Sequence, residues 1–344
     1  MQGLPNHPCH DELKIAKNAY ADAISKAKQQ HWLNWLEEIE GNDLWTANRY
    51  ISSEPRDGGK MRILTLTMKN ADGTINEAAT NNEKSTMIAK SFFPPPPVIN
   101  SVPPNVEYPA PIATPDPISH NQIIRAISAL SGYKAPGPDG ICNIVFKSCA
   151  VLLVPYLTPL FNVVLTLRTY YEPWRSFMTV VLRKPGKASY ATPKSYRPIA
   201  LLNTTCKLLT SIIAEQLTHI LEHHQLLPNT HFSGRPETTI KDAWRSHKVV
   251  SVLFLDIEGA FPNAVTNRLI HNMRMRRIPT SIIDFTERLL TNRKTQLRFD
   301  GFTSDWIPID NGIGQGDPLS MILYIIYSSD LVEVATPRRG RAAI

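Results

Sequence analysis

The chain has 344 residues, 42% of them hydrophobic, with 37 Lys+Arg against 30 Asp+Glu for a formal net charge of +7. This composition can build a sizeable core, excludes a disordered tail, and sets a length prior of about two domains at roughly 100–200 residues each. The start MQGLPNHPCHDEL lacks a secretory pattern, and the longest apolar stretch, 151–167, is interrupted by Pro155 and Pro159 and is too short for a bilayer span. An intracellular protein, nuclear or cytoplasmic and without membrane contact, is therefore expected.

The four cysteines, Cys9, Cys142, Cys149 and Cys206, form no CxxC pair and have no histidines at zinc-finger spacing. Neither a metal framework nor a disulfide-linked partner is expected from them. Charge is unevenly spread: residues 1–120 carry 11 Lys+Arg against 14 Asp+Glu, and residues 121–344 carry 26 against 16. The second part is the one suited to a polyanion, because clustered cations release counterions on binding phosphate backbones. A solvated basic surface explains the same numbers.

In chain order, residues 11–40 read as helix, with Leu13, Ile15, Ala16, Ala19, Ala23, Ile24 and Ala27 spaced two to four apart, then a short helical piece carrying Trp32, Trp35, Leu36 and Ile39. The two tryptophans are expected to be a buried stripe, with a base-stacking platform as the alternative. Met61 to Met68 reads as a strand entering a turn at Asp72-Gly73. Between Phe92 and Pro117 ten of 26 residues are proline, which predicts an extended linker and no core element. The expected organisation is a helical lead-in over 1–91, a Pro-rich linker over 92–118 and the main domain over 119–344.

Ser119 with Gln122 three residues on predicts a capping box for a helix with Ile123, Ile124, Ile127 and Leu130 on its inner face, ending at Gly132. Helical stretches broken at the prolines follow from Asn143 to about Leu167. Thr179–Leu182 reads as a strand, and Ser195–Leu202 leads into a long helix through Ile220. The run Val249–Leu255 is apolar but for Ser251 and β-branched in places, the pattern of a strand buried on both faces, and Asp256 closes it. Helices are expected over about 263–275 and 281–290, a hairpin from Thr295–Asp300 and Asp305–Ile309, and a final helix over about 318–334. Mixed helices and hairpins on a sheet argue for α+β.

Two places carry chemistry. A carboxylate closing an apolar strand is costly to ionise without a compensating cation, so Asp256 is a candidate metal ligand; as a helix cap it stands too far from the segment near Asn263. In the loop Gly312 to Ser320, three glycines within five positions let the backbone approach a flat ligand, and Gln315 offers a donor and an acceptor. A tight turn before a helix explains that pattern equally well.

Taken in order, Lys134-Ala-Pro-Gly-Pro-Asp-Gly-Ile141, Ser195-Tyr-Arg-Pro-Ile-Ala-Leu-Leu202, Phe254-Leu-Asp-Ile-Glu-Gly-Ala-Phe261 and Gly312-Ile-Gly-Gln-Gly-Asp-Pro-Leu-Ser320 resemble the successive blocks of reverse transcriptases of non-LTR retrotransposons. The resemblance covers about residues 119–335. It implies right-hand polymerase fingers and a partial palm, a nucleotidyltransferase using Mg2+, and an RNA template, a DNA primer and deoxynucleoside triphosphates as partners. Residues 1–91 resemble the segment that connects endonuclease and polymerase in such elements. By the same resemblance Asp256 and the carbonyl of Ile257 would bind the metal ions, and Asp256 would be catalytic. Phe261 would exclude a 2′ hydroxyl, Gln315 and Gly316 would pack on the templating base and incoming nucleotide, and Lys184 and Arg197 would hold the triphosphate. Without the resemblance, Phe261 reads as a core residue beside Leu255.

The sequence departs from the family pattern at Pro262 and Gly259, where an acidic residue and a Lys or Ser are usual. The 344 residues contain no Tyr-x-Asp-Asp motif, and Asp330 matches a position within the preceding helix. The expectation is an incomplete reverse transcriptase fragment, inactive alone. The alternatives are a non-catalytic nucleic-acid-binding remnant and a non-functional retrotransposon relic.

Overall fold

The computed structural model describes residues 8–38, 63–69, 74–98, 102–228, 257 and 259–333. The chain divides into two compact units, Met1–Met61 and Arg62–Ile344. In the first, α1 (Cys9–Glu38) is one uninterrupted helix of 30 residues, where the sequence pattern suggests two pieces. Asp11 and Glu12 sit in its first turn, where carboxylates complement the positive end of the helix dipole. Leu13, Ile15 and Tyr20 are exposed. The side chains of Trp32 and Trp35 lie outside the described set.

The second unit begins with a hairpin, β1 (Leu66–Lys69) against β2 (Ile75–Ala78), then α2 (Asn81–Phe92). Thr80 and Glu83 cap that helix reciprocally. An extended stretch leads to α3 (His120–Ala129), α4 (Asn143–Ser148) and α5 (Ala150–Thr166). Strands β3 (Ser176–Arg183) and β4 (Tyr196–Leu201) form an antiparallel pair, followed by α6 (Thr204–His223). Helices α7 (Thr266–Met275) and α8 (Thr280–Leu290) precede β5 (Arg293–Phe299), β6 (Phe302–Thr303) and β7 (Ile307–Ile309), and α9 (Ser320–Glu333) ends the described chain.

The sheet runs β4-β3-β5-β6, with β7 also on β5. Its centre is a parallel pair, β3 on β5, in the register Phe177 opposite Thr295 and Thr179 opposite Leu297. Between these strands the hydroxyls of Thr179 and Thr295 meet at 2.8 Å, and Thr295 donates to the carbonyl of Phe177 at 3.0 Å. The architecture is α+β. The expected strand Val249–Leu255 lies outside the described residues.

Two cores hold the unit together. The larger is helical and gathers Ile123, Phe161, Leu209, Ile213, Leu217, Phe285 and Ile326 from α3, α5, α6, α8 and α9. Arg268 of α7 and Arg276, the residue that caps its C-terminus, both bond Asp330 of α9, at 2.8 and 3.0 Å, so Asp330, which lies inside the final helix as the sequence reading has it, is a pairing residue there. The smaller core joins Leu66, Ile88 and Phe92 to Val181, Tyr196, Leu297 and Phe299 of the sheet.

Several expectations need correction. The Pro-rich stretch is extended but also contributes to cores. Phe92 and Ile118 are buried, Asn162 of α5 brackets Ile118 through its amide and carbonyl at 2.7 and 2.9 Å, and the amide of Ile112 bonds Arg277 at 2.8 Å. Residues on both sides of it therefore pack in one unit. The capping box at Ser119 forms as the sequence predicts, but Ile124 is exposed and the helix stops at Ala129. The prolines do not break α5; the break lies at Cys149. A proline removes the bond to the carbonyl four residues back, here those of Val151 and Pro155. Val151, Pro155 and Pro159 are all exposed, so water can take the freed carbonyls. Cys142, Cys149 and Cys206 are unpaired with one another. No helix among the described residues is long and apolar enough to cross a membrane.

Candidate nucleotide site

Strand β4 is an edge strand, and the glycine loop 311–317 occupies its free side. The amide of Ala200 donates to the carbonyl of Gln315 at 3.0 Å. Gly316 has φ +115°, and a Cβ there would lie 2.9 Å from the carbonyl oxygen of Ala200. Glycine is thus required twice over, by the dihedral and by the approach.

The other side of the same loop is fastened to the turn that carries Phe261. The amide of Ile313 donates to Phe261 at 2.8 Å, the amide of Gly312 to Ala264 at 3.1 Å, and the side chain of Asn311 to Pro262 at 3.3 Å. Gly312 has φ +81°, and a Cβ would fall 2.6 Å from the carbonyl of Pro262. Phe261 is half-buried, its ring 5.3 Å from that of Tyr324 on α9.

Arg293, at the start of β5, holds this assembly from beneath. It is buried, and donates Nε to Leu290 at 3.1 Å and NH2 to Asn311 and Gly312 at 3.1 and 2.6 Å, all main-chain carbonyls. Burial pulls its pKa down to about 10, with Asp317 countering, so the guanidinium stays charged at neutral pH. Asp317 itself is raised by burial, against the hydrogen bond from the Leu319 amide (2.8 Å) and from Thr210 and the nearby charges of Arg293 and Lys207. Burial also lowers Lys207, which the charges of Asp139 and Asp317 oppose.

The loop 134–141 reaches the same neighbourhood. A Cβ on Gly137 would lie 2.5 Å from the amide of Asn203, so the loop backbone rests on the junction between β4 and α6. Asp139 is raised by burial and accepts from the Ile141 amide at 3.1 Å. Lys207 therefore stands electrostatically between two loops that the sequence marks separately.

Of the residues singled out from the sequence, Phe261, Gln315 and Gly316 are brought together through the glycine loop. Lys184 and Arg197 share the β3–β4 hairpin: Arg197 pairs in register with Leu182, two residues before Lys184, whose amide bonds Ser195 at 2.9 Å and whose Nζ bonds the Lys194 carbonyl at 2.8 Å. Arg197 is exposed. Ile257 is exposed, and Asp256 lies outside the described residues. Among the described residues no group of three or more His, Cys, Asp or Glu is placed to hold a metal ion. Sequence reading missed Arg293, Lys207 and Asp317. Arg293 gave no signal because it sits in a strand whose neighbours, Lys294 and Arg298, are ordinary surface cations.

Most of the residues that build this arrangement lie within a stretch that matches a known family. Residues 182–338 match the family described as Reverse transcriptase (RNA-dependent DNA polymerase), and this part of the chain is a reverse transcriptase domain. The relatives place it among those of non-LTR retrotransposons, as the sequence blocks implied. The "Probable RNA-directed DNA polymerase from transposon BS" of Drosophila melanogaster is 28% identical over 243 residues, covering 66% of this chain and 27% of that protein. The "Probable RNA-directed DNA polymerase from transposon X-element" of the same species is 27% identical over 239 residues, 66% of this chain and 26% of the relative. The "RNA-directed DNA polymerase from mobile element jockey", also from that fly, is 23% identical over 339 residues, 91% of this chain and 36% of the relative. The chain thus spans about a quarter to a third of the length of these relatives. Reverse transcriptases generally require a divalent metal.

Proposed function

We propose that residues 119–344 supply the fingers and part of the palm of an RNA-directed DNA polymerase that extends a DNA primer on an RNA template with deoxynucleoside triphosphates and Mg2+. The observation that supports this most is the docking of one glycine loop on both the β4 edge and the Phe261 turn, which fixes Gln315, Gly316 and Phe261 relative to one another. Main-chain bonds at both ends leave the loop little freedom, and positioning of this kind is what in-line phosphoryl transfer needs. Asp256, with the carbonyl of Ile257, would hold the metal ions, which supply activation of the primer hydroxyl and charge neutralisation when bound. Lys184 and Arg197 would meet the triphosphate, arginine by its planar donor fork. Phe261 would reject a 2′ hydroxyl by collision, so discrimination comes from a clash and not from an added interaction. On this reading residues 1–91 are a lead-in, and the 344 residues, with Asp256 but without Tyr-x-Asp-Asp, bind nucleic acid without extending a primer.

The test is primer extension on an RNA template with Mg2+, using a polypeptide continued through a Tyr-x-Asp-Asp segment. Incorporation is expected, lost in Asp256→Asn. Phe261→Val should raise ribonucleotide use relative to deoxyribonucleotide use. An active Phe261→Val enzyme with unchanged sugar preference would refute the gate, and full activity in Asp256→Asn would refute the site.

A further inference from the structure

The last turns of α6 carry a histidine pair that the nucleotide site does not use. This helix buries Leu209, Ile213, Leu217, Ile220 and Leu221 in the helical core. Its other face presents Glu215, His219 and His223, four residues apart and all exposed. Side chains at i and i+4 stand one above the other on a helix, with Cβ atoms about 5–6 Å apart. The two imidazoles meet in that way: their rings are stacked, with centroids 5.5 Å apart and 15° between their planes. His224, which caps the helix, touches His223 edge-on with centroids 4.8 Å apart.

The surroundings of the pair suit a cation. Glu215 lies one turn before His219, and Glu222 immediately precedes His223. With Gln122 of α3, Gln216 and Thr218, the residues Glu215, His219 and Glu222 line an open groove between α3 and α6. Arg125 of α3 is engaged with Glu215 at 3.1 Å. An anion at the pair would therefore face carboxylates. As a packing contact the stack does little, because both rings stand in water and remove little apolar area from it.

Imidazole nitrogen is a donor for zinc, nickel and copper, and two such donors one helical turn apart can share an ion. The ion would sit about 2.0–2.1 Å from one nitrogen of each ring. The rings would then tilt toward each other out of the parallel stack, a rotation about side-chain bonds that exposed residues can make. The run His219-Ile-Leu-Glu-His223 also has the H-x-x-E-H spacing that one class of zinc enzymes uses. Catalytic zinc takes three protein ligands, and among the described residues no group of three His, Cys, Asp or Glu is so placed. The geometry carries binding and goes no further.

We propose that His219 and His223 form a two-nitrogen chelate for a divalent transition metal of the zinc, nickel and copper class, and that the bound ion clips the last turn of α6. That turn runs into Gln225, in the left-handed region at φ 52°, and Leu226, whose carbonyl accepts from Arg276 at 2.7 Å. A clip between i and i+4 closes only on helical backbone, so the ion binds the folded turn in preference to the open one and stabilises it. This assignment is independent of the polymerase reading.

The 344-residue chain, stripped with a chelator, is titrated with Zn2+ and separately with Ni2+ by calorimetry, and hydrogen exchange is followed with and without Zn2+. His219→Ala and His223→Ala should each weaken one equivalent about 100-fold, the advantage of two linked donors over one. His224→Ala, which removes the neighbouring histidine off the shared face, should bind as the wild type does. His219→Cys should restore Zn2+ binding, because a thiolate is also a zinc ligand, and this separates ligation from damage to the helix. Zn2+ should slow exchange at the amides of His224 and Leu226, which bond the carbonyls of Ile220 and Leu221, in the wild type and not in His219→Ala. Affinity unchanged in both His219→Ala and His223→Ala, or lost equally in His224→Ala, would overturn the chelate. Metal-dependent protection confined to another part of the chain would do the same.

Discussion

In the helical core, Phe161, Leu209, Ile212 and Leu217 are fully buried among apolar side chains, whereas the loop 311–317 is held mainly through main-chain atoms: the carbonyls of 311, 312 and 315, the amides of 312 and 313, and two close glycine approaches. The first region is specified by volume and the second by backbone geometry. Volume is forgiving of substitutions that conserve it, because packing is non-directional. Backbone geometry is indifferent to most side chains and intolerant of a single added carbon where two segments touch.

The largest effect that tests this contrast should come from Phe161→Ala, expected to cost about 3–5 kcal/mol in denaturant unfolding, while Phe161→Leu costs much less. Equal losses would mean that volume is not what specifies that core. Gly312→Ala comes next. Its methyl meets the Pro262 carbonyl at 2.6 Å in a left-handed conformation, and strain plus overlap should cost roughly 2–4 kcal/mol. Gly140→Ala is the matched control, with φ +72° and open space around the Cβ, where only the conformational cost of about 1–2 kcal/mol applies. If the two glycine variants melt together, close approach adds nothing to the loop.

The smallest effect concerns the seam between the extended segment and α7. Tyr108 bonds His271 Nδ1 at 3.1 Å, and the Arg274 guanidinium lies 5.5 Å over the Tyr108 ring. Burial, then Arg268, lowers the pKa of His271 from 6.5, with Asp330 opposing. Between that lowered value and 6.5 the unfolded chain binds more protons than the folded one, so stability rises with pH in this window. The seam should therefore be firm above about pH 6.5 and loosen as pH falls through the folded value. Hydrogen exchange at the Ile112 amide, which is bonded to Arg277, should accelerate beyond its intrinsic trend over that range in the wild type and not in His271→Gln. A parallel response in both proteins would remove His271 from the account.

Much of this is legible in the sequence, and the boundary of legibility is physical. The Ser119 cap, the β5 hairpin and helices α6 to α9 follow from local periodicity and turn chemistry, and the structure has them within a few residues. Phe261, Gln315 and Gly316 can be named from their blocks, but the bonds that join them link segments about 50 residues apart. What local pattern cannot show is which face of a helix its prolines will take, so α5 is expected to break where it runs on. Nor can it show that Leu66 and Ile88 pack on Val181 and Leu297 across a proline-rich stretch, because proline composition reports local stiffness and not destination. Arg293 is invisible for a related reason, since its partners are carbonyls, which every residue has.

That last property has a consequence for how the loop can diverge. An anchor that recognises main-chain oxygens reads the path of the loop and not its letters. The side chain at 315 can then change while Arg293 continues to hold the same curve, whereas Asn311, bonded to Pro262, and Ile313, buried in the helical core, are tied to their places. The guanidinium sets a fixed frame into which different readout chemistry can be inserted, with glycine at 312 and 316 as the positions where the curve itself forbids replacement.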